Sequence, residues 1–400
     1  MQRATTETTC AIVGGGPAGM MLGLLLARAG IEVVVLEKHH DFLRDFRGDT
    51  VHASTIRVMD ELGIGERFLA LPHQKVPELK VEVDGEVMTL ADFSALPGRH
   101  RYIAFMPQWD FLDFIASEAR RYPAFGLIMG AEASGLVHDG ERVAGVTYTH
   151  EGRAEVLRAA LTVACDGRNS AIRRAADLRP IQFGAPMDVL WFRLPRRAED
   201  PADTFGRLAP GELLGLINRG EYWQCAYVIR KGALDEVRRA GLDALRAELA
   251  RLAPWLGART AEIKSWDEVR LLSVQVDRLR RWHRPGLLCI GDAAHAMSPV
   301  GGVGINLAVQ DAVAAANVLA DGLRRGTVGE RELRRVQRRR ALPTILTQGL
   351  QRLIQRRFLG RLLEERRAMR PPKALRLRLV CRAAGYLVAI GVRPERVRPG

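Results

Sequence analysis

The sequence predicts an α/β fold in which a Rossmann-type parallel-sheet domain is interleaved with an antiparallel-sheet domain and followed by C-terminal helices. Three observations predict it. A short apolar run at 9–13 (TCAIV) ends in glycines, a periodic apolar stretch follows at 18–29, and the β-branched run EVVVL occupies 32–36, giving the strand, helix and strand of a βαβ unit. Two alternating runs then flank Asp84 and Gly85 in LKVEVDGEVMTL (79–90), a hairpin signature that shifts the reading to antiparallel sheet. Finally, strand-like runs and apolar helical stretches continue to residue 323 without internal repeats.

After the βαβ unit a helix is expected over 54–62, stopped by Gly63. Beyond the hairpin a helix is expected at 110–121 and an antiparallel stretch at 136–161. The run LTVACDG (161–167) reads as a further buried strand ending in a turn. Residues 181–230 hold MDVLWFRLP and EYWQCAYVIR, whose composition suits a sheet walling a cavity, with Trp191, Phe192, Phe205, Tyr222 and Trp223 as candidate lining. GLLCIG (286–291) returns as a short buried strand before a long apolar helix at 304–323. The segment RLVCRAAGYLVAIGV (378–392) is expected to pack on the body, with contact to a bilayer surface as the alternative. The expected division is 1–72, 101–180 and 271–345 for the Rossmann-type domain, 73–100 and 181–270 for a substrate domain, and 346–400 for a C-terminal helical region.

At 400 residues, 47% hydrophobic and 26% charged, the chain is long enough for two or three interleaved units and far from a disordered composition. Its net charge of +14 suggests a polyanionic partner, but Lys stands at only six positions and the Arg surplus gathers toward the C-terminus, in RRVQRRR (334–340) and over 352–398. A charge run on a helix reads first as a solvated face, so nucleic-acid binding is not expected, and weak contact with a membrane surface is retained for the basic C-terminal region. Cys10, Cys165, Cys225, Cys289 and Cys381 form no CxxC pair, which argues against a disulfide framework or a metal site and fits a reducing, cytoplasmic compartment. The polar start MQRATTETTC leads straight into a strand, with no separate signal-peptide apolar region. No uninterrupted apolar run reaches the roughly 18 residues of a spanning helix. The best candidate, near 20–36, is cut by Arg28, Gly30 and Glu32.

The first chemistry-bearing motif is IVGGGPAG (12–19), with Gly14, Gly16 and Gly19 between a strand and a helix whose opening includes Ala18. Side chains at these glycines would block the tight turn and the close approach of backbone to a pyrophosphate, which the helix N-terminus then binds. Glu37, 21 residues beyond Gly16 at the end of the second strand, is placed to accept hydrogen bonds from a ribose, with Lys38 beside it. The pattern predicts a bound dinucleotide without saying which.

Two later runs, ACDGRNSAIRR (164–174) and CIGDAAHAMSPVGGVGINLAVQDA (289–312), complete a set. In their order and spacing the three motifs resemble the fingerprints of the single-component flavoprotein monooxygenases related to p-hydroxybenzoate hydroxylase. The resemblance implies FAD as the dinucleotide, in a Rossmann-type FAD-binding domain. On it Asp166 and Gly167, with Ser170 and Arg173, lie near the pyrophosphate, and Gly291 and Asp292 bind the ribityl chain through the carboxylate. Pro299 suits an extended entry into a loop of Gly301, Gly302 and Gly304 beside the isoalloxazine. Ile305 and Asn306 open the helix whose N-terminus faces the flavin's pyrimidine edge, where about half a positive charge meets the negative charge of reduced flavin. Arg47 and Gln108 match a family arginine and glutamine that contact the flavin. His295, in GDAAH, is expected to be structural, and Cys165 and Cys289 to pack beside the motif turns.

The resemblance further implies a monooxygenase that uses NAD(P)H to reduce FAD, with NADPH favoured on Lys38, His39, His40 and Arg44. Reaction with O2 then gives a flavin C4a-hydroperoxide that hydroxylates or epoxidises an electron-rich, aromatic small molecule. The protein supplies a dry pocket and places the substrate, with no amino-acid nucleophile and no residue identified as a catalytic base. The lack of a second GxGxxG separates the chain from two-dinucleotide reductases and Baeyer-Villiger enzymes. The lack of a WxWxIP segment weighs against a flavin halogenase, while a flavin-dependent reductase of isoprenoid double bonds stays open.

Overall fold

The computed structural model describes residues 5–43, 49–365 and 377–398. The chain opens with β1 (Thr5–Val13), α1 (Pro17–Arg28) and β2 (Val33–Glu37), followed by β3 (Thr50–Val51) and α2 (Ala53–Glu61). After α2, Gly63 takes φ 72° and donates its N–H to the Asp60 carbonyl. The expected hairpin is β4 (Glu78–Val83) and β5 (Glu86–Asp92), with Asp84 and Gly85 both left-handed, as a two-residue hairpin turn of this kind requires. Next come α3 (Gln108–Ala119), β6 (Phe125–Met129) and a meander of β7 (Glu132–Asp139), β8 (Arg142–His150) and β9 (Arg153–Ala164). A second group comprises β10 (Met187–Pro195), β11 (Phe205–Ala209), β12 (Glu212–Asn218), β13 (Tyr222–Arg230), α4 (Leu242–Leu252) and β14 (Arg270–Leu272). The chain returns through β15 (His283–Arg284) and β16 (Leu287–Cys289) to α5 (Gly304–Arg324), α6 (Glu330–Ile354) and α7 (Arg378–Ala389).

The first sheet runs β15-β16-β9-β1-β2-β6, with β8 added to β9 and β7 to β8. β1 lies between β2 and β9 and parallel to both, with Val13 opposite Leu36 and Ala164. Buried from both faces, it carries an unbroken apolar run from Cys10 to Val13 instead of an alternating one. The C-terminal ends of β1, β2, β9 and β16 therefore share one edge, the edge at which open parallel sheets bind ligands.

The run 161–167 is not a strand of its own. Its first four residues are the end of β9, which pairs antiparallel with β8 over its first half and parallel with β1 along most of its length. Burial alternates from Leu157 to Ala160 and is complete from Leu161 to Ala164, so one strand carries two sequence patterns.

The second sheet runs β14-β10-β13-β12-β11-β4-β5. Its period-two alternation sorts the side chains. Leu190, Phe192 and Leu194 pack with Trp223 against Leu245 and Leu249 of α4, whereas Val189 and Trp191 belong to a cluster on the other face that includes Val300.

The stretch Val300–Arg324 is long and apolar enough to cross a membrane, yet 78% of its most apolar window is buried in the protein, as a core helix is. It, and not 20–36, is the membrane-length apolar segment among the described residues. α6 runs through the expected boundary at 345/346, with Pro343 buried inside it, and the C-terminal region starts in mid-helix. α7 packs on β5 so closely that a Cβ on Gly385 would lie 2.1 Å from the Asp92 carbonyl oxygen.

Candidate functional site

Three turns meet at the sheet edge. At Gly14, φ is 103° and a Cβ would lie 2.4 Å from the Cys165 carbonyl oxygen, so only glycine lets the turn after β1 rest on the turn after β9. Gly291, at φ 59°, sets the turn after β16 against the first turn of α1, where its Cβ would lie 3.1 Å from that of Ala18. Gly19 lets α1 close on its own turn, since a Cβ there would lie 2.0 Å from the Gly14 carbonyl oxygen. Gly16 differs: a Cβ there would meet nothing within 4 Å. It stands at the N-terminus of α1, which has Pro17 in its first turn, no side-chain cap and no acidic residue. The first N–H groups of the helix are thus left to an anion on the open side.

Glu37 holds this turn from the end of β2. Its buried carboxylate accepts the Gly15 N–H through Oε2 at 2.8 Å and the His39 N–H through Oε1 at 3.0 Å. Lys38 beside it is exposed.

In the second turn, Asp166 Oδ2 accepts the Ile172 N–H at 3.2 Å, while Oδ1 is buried without a hydrogen-bond partner among the described residues. Burial pushes the Asp166 carboxyl pKa up. Gly167 completes the turn at φ 80°. Ser170 and Arg173 are turned inward. Ser170 caps the helix Ala171–Ala175 by accepting the Arg173 N–H at 2.8 Å. The Arg173 guanidinium donates to the Arg168 carbonyl at 2.7 Å and to the Ala293 carbonyl at 3.2 Å, which ties the second turn to the third. Asp292, in the third turn, keeps 32% of its side chain exposed and lies 3.3 Å from Arg168, leaving an acidic group open toward the edge.

The loop before α5 is shaped by two left-handed glycines, Gly301 at φ 80° and Gly302 at φ 62°. Pro299 precedes them at φ −68° and ψ −11°, so the entry is a helical turn and not the expected extended one. Thr50 Oγ1 donates to the Gly302 carbonyl at 2.7 Å and lies 2.3 Å from where a Gly302 Cβ would stand. Gly304 opens α5 with nothing within 4 Å of its missing Cβ, and α5 has no acidic residue in its first turn. Ile305 and Asn306 are buried. Asn306 Oδ1 accepts from Ser54 Oγ at 2.6 Å and from Thr55 Oγ1 at 2.9 Å, which anchors α5 to α2. Gln108 is half-buried at the first position of α3, and Arg44 and Arg47 lie outside the described residues.

Beneath the third turn lies a charged network that motif reading does not reveal. Asp311, fully buried on α5, accepts the Gly291 N–H at 3.0 Å and is bonded to His295 Nε2 at 2.6 Å and Arg340 Nε at 2.9 Å. Burial alone would raise the Asp311 carboxyl, but the His295 ring and the Arg340 guanidinium outweigh it and hold it below the ordinary carboxylate value. Arg340, the last residue of RRVQRRR, is therefore a core residue and not part of a solvated face. Asp49, just before β3, is likewise tied to the second sheet, paired with Arg219 at 2.7 Å and bonded to Gln224 of β13. Of the candidate lining aromatics, Trp191 shares the face that holds Val300, whereas Phe192, Trp223 and Phe205 pack on the opposite face. Tyr222 lies under the Arg193 guanidinium.

The donor set suits FAD. A bare helix N-terminus at Gly16 matches a pyrophosphate, the open Asp292 carboxylate matches sugar hydroxyls, and a second bare helix N-terminus at Gly304 matches an electron-rich ring edge. The chain matches a family model described as FAD binding domain over residues 7–346. It is 32% identical over 401 residues to 6-methylpretetramide 4-monooxygenase of Streptomyces rimosus, an alignment covering 98% of this chain and 94% of that one. It is 30% identical over 320 residues to 12-dehydrotetracycline 5-monooxygenase/anhydrotetracycline 6-monooxygenase of Streptomyces rimosus subsp. rimosus, covering 76% of this chain and 60% of that one. The solved structure of PqsL, a probable FAD-dependent monooxygenase from Pseudomonas aeruginosa, superposes with a TM-score of 0.75 at 22% identity over 90% of this chain and 98% of that one, which shows a shared fold. A family match across residues 7–346 and 32% identity along nearly the whole chain make this protein a member of the FAD-dependent aromatic monooxygenases.

Proposed function

We propose that this FAD-dependent monooxygenase uses NAD(P)H and O2 to hydroxylate an aromatic compound of the class named for its Streptomyces rimosus relative, 6-methylpretetramide. The observation that carries the reading is the convergence of three turns at one sheet edge, with Val300 of the loop before α5 packed on an apolar side of the second sheet. FAD, when bound and reduced by the nicotinamide cofactor, supplies the oxygen-transfer chemistry. The chain's own residues do the rest. The N–H groups at Gly16 hold the pyrophosphate, Asp292 accepts from the ribityl hydroxyls, and the first turn of α5 at Gly304 lies toward the pyrimidine edge. Trp191, Leu213, Ala226, Leu272 and Val300, all partly buried, provide an apolar wall that keeps water from the reacting atoms.

NADPH is the preferred reductant on this reading, because exposed Lys38 follows Glu37 at the mouth of the glycine turn. The division into a discontinuous flavin domain and an inserted substrate domain is part of this reading, supported by the separation of the second large sheet from the first. The test is NAD(P)H oxidation by the purified protein with 6-methylpretetramide and related aromatics. Stimulated oxidation with one oxygen atom gained by the compound supports the proposal. Oxidation that only releases hydrogen peroxide, with every compound unchanged, overturns it.

A further inference from the structure

The chain's charge resides in one stretch. Residues 331–382 hold 17 of the 60 basic residues and 3 of the 46 acidic ones, a surplus of 14 that equals the net charge of +14. Part of it is neutralised from elsewhere in the fold: Arg340 pairs with Asp311, Arg339 with Glu395, and Arg378 and Arg382 face Asp92. Arg334, Arg335, Arg338, Arg356 and Arg357 are exposed and make no ion pair among the described residues.

Between these arginines α6 shows aliphatic surface to solvent. Leu342, Ile345, Leu346, Leu350, Leu353 and Ile354 keep 38% to 51% of their surface exposed. Helical spacing puts them on one face, in line with Arg335 and Arg338 and opposite the buried Arg340, Thr344 and Gln351. α7 adds Leu379, Tyr386 and Leu387, exposed by 78%, 43% and 45%. Leu387 of α7 and Thr347 of α6 border one small cavity, which puts α7 beside α6.

A continuous aliphatic face of this kind marks an interaction surface, and its arginine border selects the occupant. A second copy of the chain would bring the same positive border against it. An anionic lipid surface meets both features, with aliphatic side chains entering the acyl boundary and guanidinium groups meeting phosphates. We propose that α6 and α7 form a docking face for an anionic bilayer, lying in the plane of the interface without crossing it. The inner side of α7 connects this face to the site. His52 Nδ1 donates to the Val388 carbonyl at 2.7 Å, and Ser54, which bonds Asn306, lies 2.8 Å from the Ala389 carbonyl.

The test is flotation of the full-length, flavin-loaded protein with vesicles of phosphatidylcholine alone or mixed three to one with phosphatidylglycerol. The double variant Leu346→Glu, Leu350→Glu serves as the probe of the face. The expected result is at least tenfold stronger partition onto the anionic vesicles, lost in 0.5 M NaCl, where the Debye length contracts to about 4 Å. The variant is expected to partition at least tenfold more weakly while keeping the same melting temperature and flavin content, because both side chains are already exposed. Equal partition onto neutral and anionic vesicles, or a variant that floats like the parent, overturns the proposal. Failure to float, together with a dimer in sedimentation that the variant dissociates, also overturns it and gives the face to a second copy. Flavin absorbance read on the same samples keeps this outcome separate from that of the monooxygenase reading.

Discussion

Lowering the pH should weaken this protein through His52. The ring is fully buried beneath the loop before α5, and burial pushes its pKa down from the ordinary 6.5 to about 4, with the hydrogen bond to the Val388 carbonyl opposing only in part. Between those two values the unfolded chain binds a proton that the folded chain refuses, so stability rises with pH across the window and falls as the medium is acidified. Above 6.5 the neutral ring makes no difference. The full gap corresponds to about 3 kcal/mol at pH 4 and below, and about 1.4 kcal/mol is already lost at pH 5.5. His52→Gln keeps an N–H donor for the Val388 carbonyl and removes the titration. Urea unfolding followed by tryptophan fluorescence at pH 7.5 and 5.5 should show a stability loss smaller by about 1.4 kcal/mol in the variant. Equal losses in parent and variant would refute the assignment, since the same comparison cancels the other buried histidines.

Gly302→Ala should cost about 1–3 kcal/mol and loosen FAD, because a side chain is forced to a positive φ against Thr50. Adding Thr50→Ala should restore part of the melting temperature, and no restoration would place the cost in φ alone. Arg340→Met should destabilise by about 3–5 kcal/mol, since it leaves the buried Asp311 carboxylate short of a partner, and an unchanged thermal melt would contradict that role. Asp292→Ala should leave the melt of the apoprotein unchanged, because its side chain is a third exposed, but lower the flavin retained after desalting; unchanged occupancy would reject its place in the site.

What could be read from the sequence was what a few neighbouring residues decide between them. Gly14, Gly16 and Gly19 answer to one turn, and Asp84 with Gly85 to another, so both were readable without any knowledge of the tertiary fold. The convergence of three turns was readable only through the family resemblance, since Gly14 against Cys165 and Gly291 against Ala18 are contacts between distant segments. Arg340 was misread for the same reason: whether an arginine faces solvent depends on a carboxylate that the fold brings from elsewhere. One signal was available, because Asp311 is a lone carboxylate in the apolar run GINLAVQDAVAAA, and a buried charge there requires a partner. The lining aromatics show the limit of alternation. It groups Trp191 apart from Phe192, but which group meets the flavin domain was decided by where α4 packs.

The most direct measurement is a titration of the flavin-free protein with FAD, followed by its visible spectrum after removal of excess. One FAD per chain, held through desalting and displaying the resolved bands of a bound flavin, is the predicted result. A protein that stays colourless after soaking in excess FAD would contradict the site described for Gly16, Asp292 and Gly304.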